Sequence, residues 1–126
     1  MNGEELREYC LAKAGVTEEF PFDDTTLVFK VMGKIFLLLR LDAVPLQCNL
    51  KCSPLRALQL REEFPQVLPG YHMNKKHWNT VVIDDLLPTR DLQQWIDDSY
   101  HLVVQGLNRS MRAALAVEER EVQDLR

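Results

Sequence analysis

The sequence predicts one α+β domain: a two-layer sandwich whose antiparallel sheet carries its helices on one face. Three observations lead there. Apolar residues recur at helical spacing near both ends of the chain and again around 53–64, with period-two alternation between them. The strands read between residues 27 and 51 follow one another through short connections, which favours antiparallel pairing. At 126 residues, 46% hydrophobic and 27% charged, the chain has the size and composition of one ordinary domain with one core. The resulting element order is α-β-β-β-α-β-α.

The first helix starts at Asn2, an N-cap residue, with Glu4 and Glu5 in the first turn where the helix dipole favours acids. Leu6, Tyr9, Cys10 and Lys13 fall on one stripe, and Gly15 is read as the stop. A connector, Phe20-Pro-Phe-Asp-Asp, precedes a hairpin. Leu27, Phe29 and Val31 alternate with Val28, Lys30 and Met32, Gly33-Lys34 is read as the turn, and Ile35 to Leu41 returns. In the next strand Leu46, Cys48 and Leu50 share one face, while Gln47, Asn49 and Lys51 share the other, which an antiparallel sheet can leave in water. Ser53-Pro54 opens a helix with Leu55, Leu58, Leu60 and Phe64 as its apolar residues, stopping before Pro65. Pro69-Gly70 predicts a type II turn, and Trp78 to Ile83 a strand. Pro88-Thr89 opens a long helix with a stripe of Leu92, Trp95, Ile96, Val103 and Leu107. The domain is expected to span 1–107, with 108–126 a helical extension or a frayed tail.

Charge is segregated within the net −4. Residues 43–83 hold Glu62 and Glu63 against Lys51, Arg56, Arg61, Lys75 and Lys76, while both flanking segments are acidic. Any cationic face is therefore expected in the middle of the chain. The opening residues lack the basic-then-apolar pattern of a secretory signal, and the longest apolar run, Ile35 to Leu39, is too short to span a bilayer. With three cysteines and no disulfide pattern, a reducing, cytoplasmic location is expected.

The stretch Pro69-Gly-Tyr-His-Met-Asn-Lys-Lys-His-Trp-Asn-Thr-Val81 concentrates polar, aromatic and cationic groups in the way a binding surface needs. Together with Phe29-Lys-Val-Met-Gly-Lys-Ile-Phe36, Asn49-Leu-Lys-Cys-Ser-Pro54 and Asp98-Ser-Tyr-His-Leu-Val103, it resembles the MmcQ/YjbR-like family from about Leu6 to about Leu107. The resemblance implies a fold similar to bacterial frataxin (CyaY-like) in a small bacterial protein. It also implies DNA binding through a double wing of hairpins. The candidate nucleic-acid-binding residues are Lys34, Lys51, Tyr71, His72, Asn74, Lys75, Lys76, His77 and Trp78: lysines for phosphates, aromatic rings for stacking. The alternative is an adaptor that binds a protein or a small anionic ligand through Tyr71–Asn79.

Cys48, Cys52, His72 and His77 have finger-like gaps within each pair, but Cys48 shares parity with Leu46 and Leu50 and is expected in the core rather than on zinc. Cys52 precedes a helix N-terminus that would lower its pKa, yet no third group is positioned for a Cys–His pair. The N-terminal acids, among them Glu18, Glu19, Asp23 and Asp24, suit solubility and the helix dipole better than iron. The expectation is a monomeric binding module with no cofactor, no metal and no enzymatic activity.

Overall fold

The computed structural model describes residues 1–70 and 73–124. The elements are α1 (Gly3–Leu11), β1 (Val16–Glu19), β2 (Thr26–Val31), β3 (Lys34–Arg40), β4 (Leu46–Lys51), α2 (Pro54–Glu63), β5 (Val67–Pro69), β6 (Trp78–Ile83), α3 (Thr89–Gln105) and α4 (Arg109–Asp124). Six strands form one sheet in the order β1-β2-β3-β4-β6-β5, every neighbouring pair antiparallel. Buried residues of all four helices join the inward residues of the strands in one core, so the α+β class is as read from the sequence.

The expected order α-β-β-β-α-β-α needs correction by two strands, β1 and β5. Both are sheet edges, of four and three residues. Val16-Thr-Glu-Glu19 is too short to show a period, and β5 ends in Pro69, a residue that sheets accept at their edges. Each becomes a strand because its neighbour offers an unpaired backbone.

At α1, Asn2 and Glu5 form the reciprocal capping box. The helix ends at Leu11 rather than at Gly15, which sits in the following turn at φ 72°. A Cβ on Gly15 would lie 2.7 Å from Leu115 Cδ1, so this glycine also makes room for α4. The β2–β3 turn falls on Met32 and Gly33, at φ 50° and 82°, one residue earlier than expected. Two successive left-handed residues match the twist of a two-residue hairpin. A register shift after Phe29 places both Phe36 and Leu37 in the core.

Helix α2 turns a different face inward than its leucines suggest. Ala57 and Leu60 are buried, while Leu55 and Leu58 are exposed. Arg61, on the Ala57 side one turn on, reaches three acceptors beneath the helix, consistent with that rotation. In α3 the stripe is as expected: Leu92, Trp95, Ile96 and Val103 are buried, with Leu107 just beyond, and Trp95 stacks edge-on against Phe64 at 4.8 Å. Ser99, fully buried, accepts from Lys51 N at 2.9 Å and donates to the Phe36 carbonyl at 2.5 Å, tying α3 to β3 and β4. Residues 109–124 are helical, and Leu115 is buried in the common core. No helix among the described residues is long and apolar enough to cross a membrane.

Candidate functional site

Strand parity divides the sheet into two faces. Leu46, Cys48 and Leu50 look toward the helices opposite Ile83, Val81 and Asn79. Gln47, Asn49 and Lys51 look the other way, opposite Val82, Thr80 and Trp78. This second face is not simply wet, as the alternation suggested. Val28, Leu38 and Asn49 lie on it and are buried, because neighbouring side chains and the connector before β2 crowd over it.

The antiparallel register brings three of the candidate segments to one end of the sheet. The β2–β3 turn, the end of β4 and the start of β6 all lie there. Lys51 and Trp78 are direct partners across β4 and β6 on the helix-free face. Trp78 is therefore half-buried on that face and is not a core residue. Lys34 pairs with Val31, whose side chain is in the core, so Lys34 leaves the sheet on the helix side and does not share a face with Lys51. Tyr71 and His72, also candidates of the loop, lie outside the described residues.

The loop between β5 and β6 is held from several sides. Gly70 N donates to the Trp78 carbonyl at 3.0 Å, and Met73 N to the Gly70 carbonyl at 2.9 Å. The amides of His77 and Trp78 both donate to the Asn74 carbonyl, at 3.1 and 2.9 Å, while Asn74 Oδ1 accepts from Lys76 N at 2.9 Å. Cys52 N donates to the His77 carbonyl at 2.7 Å. Gly70 is not among the residues of positive φ, so the expected type II turn is not formed. Glycine is needed there for space, since a Cβ would meet the Trp78 carbonyl oxygen at 2.9 Å and Trp78 Cβ at 3.0 Å.

Arg61 anchors this loop. Its Nε donates to Asn79 Oδ1 at 2.7 Å, and its Nη2 donates to the carbonyls of Lys75 and Trp78. Asn79 is 2% exposed and donates on to the Ala57 carbonyl at 3.4 Å. The result is a hydrogen-bonded base on which Asn74, Lys75 and Lys76 are exposed and His77 is half-buried. Sequence reasoning missed Arg61, although its spacing from Ala57 on the helix was a usable signal.

The thiols lie elsewhere. Cys48 is fully buried opposite Val81, as its parity predicts, and burial drives its pKa strongly upward. Cys10 is pushed up to about 12 by burial. Cys52 is also raised, chiefly by desolvation, which outweighs Arg56, Arg61 and the backbone hydrogen bond at Ser53, so the net shift is opposite to the lowering expected at a helix start. On the N-terminal acids, Glu18 is engaged by Arg7, Glu19 by Lys30, and Asp23 by the backbone of Thr25 and Thr26.

A deeper concavity opens on the helix-free face, about 480 Å³ in volume. Leu38 and Asn49 form its floor, Phe22, Asp23 and Thr25 one wall, and Met73 reaches it from the β5–β6 loop. Arg40 and Asp42 pair at 3.4 Å within it.

Comparison with known proteins gives a consistent result. The YjbR family model matches residues 11–102. The uncharacterised protein YbdF of Escherichia coli O157:H7 is 44% identical over 89 residues, covering 70% of this chain and 72% of that protein. The uncharacterised protein YjbR of Escherichia coli K12 is 33% identical over 111 residues, covering 88% of this chain and 94% of its own. A Deinococcus radiodurans crystal structure described under the domain DUF419 superposes with a TM-score of 0.83 at 40% identity, covering 90% of this chain and 86% of that one. A Pseudomonas syringae structure gives a TM-score of 0.70 at 27% identity, covering 81% and 98%. The matched span runs from the last residue of α1 through the sheet and α2 into α3, and it includes both hairpins and the loop that Arg61 holds; the chain belongs to the YjbR family.

Proposed function

We propose that the protein is a small DNA-binding module with weak sequence preference, holding the phosphate backbone at the end of the sheet where its two hairpin loops meet. The observation that supports this best is the gathering of four lysines at that end, three of them exposed and Lys51 half-buried. Lys34 stands beside one loop on the helix side of the sheet, Lys75 and Lys76 stand in the other loop, and Lys51, on the strand between the two hairpins, lies on the helix-free face next to Trp78. A frataxin-like arrangement with the hairpins as a double wing goes with the same reading. Lysines on such loops grip phosphates, which carry no sequence information. The helices pack their buried residues against the opposite face of the sheet, and contacts made by loop lysines favour the phosphate backbone over base edges.

The test is fluorescence anisotropy with labelled duplex and single-stranded oligonucleotides at low and moderate salt. With about four phosphates contacted, the slope of log K against log salt is expected near −3 to −4, and affinity roughly micromolar or weaker. Lys75→Glu/Lys76→Glu should remove most of the signal and leave the fold intact. Absence of binding at low salt, or binding that survives the charge reversal, would overturn DNA binding. Salt-insensitive capture of a protein or small anionic ligand through Tyr71–Asn79 would then take its place.

A further inference from the structure

The groove on the helix-free face has the features of a built site. Its lining carries two nearly buried polar side chains, Thr26 at 9% and Asn49 at 8% exposure, and the Thr26 hydroxyl already donates to Asp23 Oδ2 at 3.2 Å. Asn49 Oδ1 is occupied by the Thr80 hydroxyl at 2.6 Å, whereas Nδ2 donates to no acceptor among the described residues. No buried side-chain polar atom among those residues lacks a partner, so Nδ2 opens onto the groove and its donors are free for an occupant.

The rest of the lining narrows what that occupant is. Phe22, Ile35, Leu38 and Met73 give an apolar surface suited to a flat ring. Phe22 is 66% exposed, an aromatic face left unpacked at the rim. The charged residues of the lining are Arg40, Asp23 and Asp42, one base against two acids, which disfavours an anion inside. Asp23 is already committed: its carboxylate accepts from Thr25 N at 3.0 Å and Thr26 N at 2.7 Å. Arg40 and Asp42 form a loose, half-exposed pair that offers donors and an acceptor side by side. A neutral planar heterocycle with a carbonyl and a mixed donor–acceptor edge satisfies all of these groups. Between Ile35 and Arg40 the floor strand runs roughly 17 Å, room for a base with its sugar.

We propose that this groove takes an unpaired base of single-stranded nucleic acid. The base carbonyl accepts from Asn49 Nδ2, its far edge meets the Arg40–Asp42 pair, and its ring lies against Phe22. The phosphates run back toward the lysine-bearing end of the sheet, to which Ile35 and Met73 lead. This rests on the nucleic-acid function proposed above and adds to it a reason to prefer single strands, because paired bases cannot enter the groove.

The experiment compares a labelled single strand, an abasic strand of equal length and a duplex by anisotropy at low salt, for wild type, Phe22→Ala and Arg40→Ala. Both residues lie outside the core, so the variants should fold. In parallel, uncharged nucleosides are titrated while the Asn49 side-chain amide is followed by NMR. The single strand should bind roughly ten-fold more tightly than the abasic one, as one stacked base allows. Both variants should bring that ratio to about two-fold or less, leave abasic and duplex affinity unchanged, and abolish the nucleoside-induced shift of Asn49. Equal affinity for full and abasic strands, or a ratio that survives Phe22→Ala, overturns the base site while leaving phosphate binding in place. Nucleoside shifts at Asn49 without binding of any strand would support the groove and overturn the lysine interface. Silence in every arm overturns both.

Discussion

Replacing Arg61 with methionine isolates the anchor of the β5–β6 loop while keeping most of the side-chain stem. Three acceptors lose their donor, but they do not weigh equally. The Trp78 carbonyl is 3.4 Å from the guanidinium and already accepts from Gly70 N, so it loses little. The Lys75 carbonyl belongs to an exposed residue, and water replaces the donor there. Asn79 is different: at 2% exposure its Oδ1 would be left without its donor in a dry site. An unsatisfied buried acceptor costs about 1–3 kcal/mol, so the total expected loss is about 2–3 kcal/mol. Urea unfolding reads that loss, and amide hydrogen exchange locates it. The amides of His77 and Trp78, which donate to Asn74, should exchange faster by a larger factor than those of β3. Arg61→Lys should recover only part, because an ammonium cannot present the same fork. A loss under about 0.5 kcal/mol would refute Arg61 as an anchor. A large loss with unchanged relative protection at His77 and Trp78 would show a general contribution to stability in place of a local one.

Trp95→Ala should destabilise by about 3–5 kcal/mol in the same assay, since Trp95 is buried against the sheet and Phe64; under about 1 kcal/mol would contradict that packing. Gly33→Ala, with open space at its Cβ, should cost about 1–2 kcal/mol for the left-handed backbone alone, whereas Gly15→Ala should cost clearly more because its Cβ meets Leu115; equal costs would refute the close approach of α4. Alkaline pH should weaken the fold through its buried thiols. Cys10 is raised from 9.0 to about 12, and Cys48 is raised as well, so above pH 9 the folded state holds protons that the unfolded state releases. Their contribution is complete below the unfolded pKa and is lost as pH rises toward the folded values, by about 1.4 kcal/mol per unit for each thiol. Urea midpoints measured from pH 8 upward should therefore fall more steeply in wild type than in Cys10→Ala, and identical slopes would contradict it.

Local chemistry determined a good part of this protein in advance. The Asn2 cap, the Ser53-Pro54 and Pro88-Thr89 helix starts, the inward parity of Cys48 and the α3 stripe from Leu92 to Leu107 all follow from residues close in sequence. So did the resemblance that placed the chain in its family, because the Pro69–Val81 block is contiguous. Tertiary structure decided the rest. The edge strands β1 and β5 exist because β2 and β6 present unpaired backbone to segments too short to declare themselves. Leu55 and Leu58 are exposed because α2 packs Ala57 and Leu60 inward, an orientation in which Arg61 reaches Asn79, 18 positions away. Lys34 and Lys51, both near one end of the sheet, were separated onto opposite faces by the register of two hairpins. Asn49 read as a wetted strand residue, and it became the polar floor of a groove because the connector at Phe22 and the loop at Met73 fold over the same face. Caps and strand parity are settled by neighbours along the chain, whereas burial and the grouping of side chains from distant segments depend on which surfaces the whole fold brings together.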